Sequence, residues 1–72
     1  MITADQIRVG GVYEIEDDYL SKPGNVLTIL TMEKEGAFRS FTFLFLTGHY
    51  ERRVVKGGMV QFNTVFSLEE IA

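Results

Sequence analysis

Phe38-Arg39-Ser40-Phe41-Thr42-Phe43-Leu44-Phe45-Leu46 concentrates more aromatic and β-favouring side chain than any other stretch of this 72-residue chain, and four of its six Phe lie there. At strand period one face carries Arg39, Phe41, Phe43 and Phe45, and the other carries Phe38, Ser40, Thr42, Leu44 and Leu46. Both faces are apolar toward the C-terminal end, so both need cover. The run therefore predicts a central strand, curled into a barrel on one face and covered by a terminal segment or another subunit on the other.

Working outward, length and composition bound the rest. A chain of 72 residues makes one domain, residues 1–72, and a domain of that size buries only roughly 60% of the surface its unfolded chain exposes. With no Cys it has no disulfide or thiolate metal site to reinforce it, which suits a reducing compartment. A 46% hydrophobic content is too high for a disordered chain. The N-terminus has neither a basic region nor an apolar signal-like run, and no apolar run approaches the roughly 20 residues that span a bilayer, so no membrane partner and a cytoplasmic location are expected. Residues 1–37 carry seven carboxylates against three cations, −4, and residues 38–72 carry four cations against three carboxylates, +1. The net charge of −3 disfavours a general polyanion binder but leaves room for a local basic face.

In chain order, Thr3 to Gln6 has the spacing of a capping box and predicts an opening helical turn. Ile7, Val9, Gly11, Tyr13 and Ile15 alternate with Arg8, Glu14 and Glu16, a half-buried first strand with a bend at Gly10-Gly11. Glu16 to Asn25, with Pro23-Gly24, reads as a long loop. Val26 to Glu33 is the second strand, and the Lys34 to Ala37 link joins it to the central strand as a hairpin. After a turn at Thr47 to Tyr50, Glu51–Lys56 and Met59–Phe66 read as the fourth and fifth strands, joined by a tight Gly57-Gly58 turn. Ser67 to Glu70 repeats the capping spacing, which predicts a closing helical turn that tucks Ile71 against the barrel end.

Five short strands, a long loop after the first, tight hairpins and one-turn helices at the termini resemble the small SH3-like β-barrel, an all-β fold. The opening Val9-Gly10-Gly11-Val12-Tyr13-Glu14-Ile15 is similar to the first strand of many such barrels. Asp17, Asp18 and Tyr19 are similar to the acidic, aromatic loop of the peptide-binding members, but the Trp of their groove is absent, so proline-motif binding is not implied. A twisted antiparallel meander is the alternative architecture.

Four constellations carry possible chemistry. Glu14, Glu16, Asp17 and Asp18 could offer oxygen ligands to Ca²⁺ or Mg²⁺, but their spacing fits no known loop, and a solvated edge that discourages strand pairing explains them. No metal and no cofactor are expected. As a surface, Glu16, Asp17, Asp18 and Tyr19 suit a basic partner. Arg39, Arg52, Arg53 and Lys56, if gathered beside aromatic rings, would suit single-stranded nucleic acid; ordinary cross-strand pairing with carboxylates is the competing explanation. His49 stands alone in a turn, without the second His, Cys, Ser or Asp of a metal site or relay. A domain this small is expected to lack the concave pocket of about 300 Å³ or more that enzymes use, so no enzyme is expected.

The apolar surplus is harder to absorb, because a small barrel is filled by one face of its strands only. Either terminal turns carrying Ile2, Leu68 and Ile71 cap the excess or an apolar patch, including Phe41 and Phe43, meets a partner. The reading is a protein-interaction module or accessory, regulatory subunit, an inhibitor encoded by a mobile element being one such form. Its partner is an unidentified protein or a second copy of the chain. Nucleic-acid binding is the alternative.

Overall fold

A computed structural model describes residues 1–15, 25–48 and 50–72. The described chain is all-β: β1 (Ile2–Thr3), a single 3-10 turn (Ala4–Gln6), β2 (Val12–Ile15), β3 (Val26–Glu35), β4 (Phe38–Phe45), β5 (Val54–Lys56), β6 (Val60–Gln61), β7 (Val65–Phe66) and β8 (Leu68–Glu70). All pairings are antiparallel; one sheet runs β5-β4-β3-β2-β8, with β6 also on β4, and a second pairs β1 with β7. The Phe38–Phe45 strand is internal to its sheet, as its composition requires.

The expected barrel closure is corrected: the sheets do not close into a barrel, and there are more than five strands. The chain between β6 and β8 is committed elsewhere. β7 pairs with β1, while the Ala4 and Asp5 amides donate to the carbonyls of Thr64 and Phe62 at 2.8 and 3.1 Å. These residues are therefore not a rung between the sheet's two ends.

Local chemistry explains the elements. The Thr3 amide donates to Gln6 Oε1 at 2.8 Å, so the opening turn forms as its capping spacing predicts. The first strand is shorter than its alternation suggests, because Arg8 to Gly11 is a turn closed by the Gly11 amide on the Arg8 carbonyl at 3.0 Å. Gly10, at φ +82, takes the left-handed position that a type II turn needs. Tyr13 is fully buried, and its hydroxyl accepts the Arg8 amide at 2.9 Å.

β3 and β4 form the expected hairpin, closed at Glu35 and Phe38 around Gly36, whose φ of +58 suits the first central position of a two-residue turn. Their register shifts at Leu30, and this bulge reverses the parity of β3. Leu27 and Ile29 before it, and Met32 after it, thus share the core face with Phe45, Phe43 and Phe41.

Gly57-Gly58 does not make a hairpin turn. β5 and β6 both pair with β4, and their registers differ by one residue, so they are two pieces of one interrupted edge. Neither glycine takes positive φ. The fourth strand starts only at Val54, because residues before it turn through Arg52 at φ +69. The expected fifth strand is split into β6 and β7: Val60 and Phe66 pack on the core, whereas Phe62 is exposed. The closing helical turn is corrected to strand β8, paired with β2 through Leu68↔Ile15, Glu69↔Glu14 and Glu70↔Tyr13. An extended run here satisfies the second edge of β2. Ile71 is exposed rather than tucked.

The core comprises Ala4, Ile7, Tyr13, Leu27, Ile29, Phe41 and Phe45, joined by partly buried Ile2, Phe66 and Leu68 from the terminal segments. On the opposite, outer face, residues directly across from one another form two rows. Ile71, Val12, Thr28, Leu44 and Val54 make one, and Glu69, Glu14, Val26 and Leu46 the other.

Candidate functional site

The concave side of the sheet holds an apolar cleft of about 450 Å³. Ile15 of β2, Leu27 and Ile29 of β3, and Phe41, Phe43 and Phe45 of β4 form its floor. Ile7, Phe66, Ser67 and Leu68 complete the described lining. Period-two alternation places these side chains together, and the Leu30 bulge keeps the two halves of β3 on one face. The expectation that the chain is too small for such a concavity does not hold, because the open sheet leaves a space that a closed barrel would fill with side chains.

An aromatic path leads outward from the cleft. The Phe43 and Phe45 rings meet edge-on with centroids 5.5 Å apart, Phe45 and Tyr50 follow at 5.4 Å, and the Arg53 guanidinium lies 5.8 Å from the Tyr50 centroid. An exposed cation–π contact of this kind is worth about 0.5–1 kcal/mol, enough to orient Arg53 rather than to hold the fold. Ser67 is the one polar side chain of the described lining, and no carboxylate, imidazole or amine lies beside it there to activate its hydroxyl. The arrangement offers apolar area and shape.

The sequence candidates separate as follows. Phe41 and Phe43 both line the cleft, Phe41 as a buried core residue and Phe43 as a half-buried one. Glu16, Asp17, Asp18, Tyr19 and His49 lie outside the described residues. Glu14 belongs to an internal strand rather than to an edge, and faces Glu69 across β2 and β8. Among the described residues no group of three or more His, Cys, Asp or Glu is placed to hold a metal ion, and no helix is long and apolar enough to cross a membrane.

The basic set is not gathered. Arg39 pairs with Val60 at the hairpin end of β4, on the parity of Phe41; Lys56 pairs with Thr42, on the opposite parity; Arg52 and Arg53 sit beyond Val54, at the other end of β4. Sequence reasoning missed Ile15, Leu27 and Leu68 as site residues. The clue to Leu68 was its apolar character between Ser67 and Glu69, legible as alternation once the helical reading is dropped.

Protein-family models, curated proteins and solved structures were each compared with this chain, and none matches it.

Proposed function

We propose that this chain is a cytoplasmic, non-enzymatic protein-interaction module or accessory subunit, regulatory in role and built on an SH3-like plan. In this reading it takes an apolar anchor from a basic segment of another protein into the cleft of Phe43. The observation that carries it is the cleft itself, about 450 Å³ and apolar apart from Ser67, a size that suits one or two large side chains. The basic character of the partner rests on sequence adjacency: Ile15 lines the cleft, and Glu16-Asp17-Asp18-Tyr19 follow it directly. The strand path β5-β4-β3-β2-β8, with the long connection between β2 and β3, supports the SH3-like plan. The dispersal of Arg39, Arg52, Arg53 and Lys56 weighs against the nucleic-acid alternative, which needs one summed cationic face.

The test is a photo-crosslinking amino acid placed at Ser67, at the cleft, and separately at Glu35, at the β3–β4 turn. A discrete protein adduct from position 67, absent from position 35 and weakened by Asp17→Lys/Asp18→Lys, is expected. Equal labelling from both positions, or no adduct from position 67, would overturn the reading.

A further inference from the structure

The terminal segments pack Ile2, Phe66 and Leu68 on the core face, so they do not cover the outer face of the sheet. There Val54 is 59% exposed, Ile71 50% and Leu46 39%, flanking the half-buried Val12, Val26, Thr28 and Leu44. We infer that two copies of the chain meet through this face, related by a twofold axis running along β3.

Three features commit the face to a second copy. First, a row of four apolar residues about a central Thr28 crosses five strands, long enough to serve as both halves of a sheet-on-sheet contact, and the chain is small enough to gain from one. Second, β3 is the middle strand of the path β5-β4-β3-β2-β8, so a twofold along it lays β8 of one copy over β5 of the other. The row Ile71, Val12, Thr28, Leu44, Val54 then faces itself in reverse, Ile71 over Val54 and Val12 over Leu44, with the two Thr28 side chains at the axis.

Third, the two ends of the rows carry opposite charge. Glu14 and Glu69 lie directly across from each other on β2 and β8, a like-charge pair that a cation would relieve. Arg52 lies at the far end of that row: its amide donates to the Phe45 carbonyl at 2.8 Å, and it precedes Val54 by two residues, next to Leu46. The twofold brings Arg52 of each copy to the Glu69 end of the other, twice per dimer. The cleft, on the opposite side of the sheet, stays open.

Sedimentation equilibrium of the intact chain from micromolar to millimolar concentration reads the mass directly, expected to approach twice 8.2 kDa. Leu46→Lys/Val54→Lys, both at exposed positions, is expected to weaken dimerisation at least about tenfold. Glu69→Arg alone and Arg52→Glu alone should each weaken it as well, by setting like charges against each other. Mixing these two single variants should restore a dimer, because each Arg then meets a Glu of the other chain. A mass of 8.2 kDa at every concentration would overturn the inference. So would a dimer indifferent to Leu46→Lys/Val54→Lys, or charge variants that fail to associate when mixed.

Discussion

Gly11→Ala tests the packing at the centre of the fold. A β-carbon at position 11 would sit 2.7 Å from the Tyr13 Oη and 2.8 and 2.9 Å from its Cε2 and Cζ. The ring has little room to yield, since Tyr13 is fully buried and its hydroxyl accepts the Arg8 amide. Overpacking of this kind costs about 1–3 kcal/mol. In a domain of this size each kcal/mol lowers Tm by about 4–8 °C, so thermal unfolding followed by circular dichroism should show a drop of at least several degrees. Gly10→Ala is the contrasting variant: nothing lies within 4 Å of its β-carbon, and its cost comes from φ +82 alone. Adding Tyr13→Phe removes the closest atom, so it should couple to Gly11→Ala by at least about 0.5 kcal/mol while adding nearly independently to Gly10→Ala. An unchanged or raised Tm for Gly11→Ala, or equal coupling in both cycles, would refute the packing described for Tyr13.

Deleting Leu30 removes the bulge residue while leaving every other β3 side chain on its present face, so the variant should retain its β-sheet circular dichroism; deleting Thr28 instead turns part of the core outward and should abolish cooperative unfolding. Arg8→Ala loses an ion pair to Glu70 in which both side chains are well exposed, and should cost no more than about 1 kcal/mol, shrinking with added salt. Phe45→Ala removes a buried ring that contacts both Phe43 and Tyr50 and should cost about 3–5 kcal/mol, measured by urea unfolding; Tyr50→Ala, at an exposed position, should cost far less.

The central strand was legible because five aromatic and aliphatic residues between Phe41 and Leu46 leave only pairing on both edges as a stable home. The β3–β4 hairpin followed from Gly36, and the opening turn from Thr3 and Gln6. Ambiguity entered where one local signal serves two geometries. Gly57-Gly58 suits a tight turn and a slipped edge strand equally, and long-range pairing with β4 selects the second. Ser67 to Glu70 has capping spacing, but the second edge of β2 claims it as a strand. The polar positions Thr28, Thr31 and Glu33 break strict alternation, and that irregularity is the trace of the bulge at Leu30. Phe41 and Phe43 were legible as neighbours on one face of β4, and both line the cleft. The cleft was illegible because it depends on how far the sheet closes, a tertiary property.

The most direct measurement is methyl-resolved NMR of the labelled chain titrated with the protein that crosslinks to position 67. The account predicts shifts in Ile15, Leu27, Ile29 and Leu68, which line the cleft, while Leu46, Val54 and Ile71 on the outer face stay in place. Shifts confined to the outer face, with the cleft methyls unmoved, would contradict it.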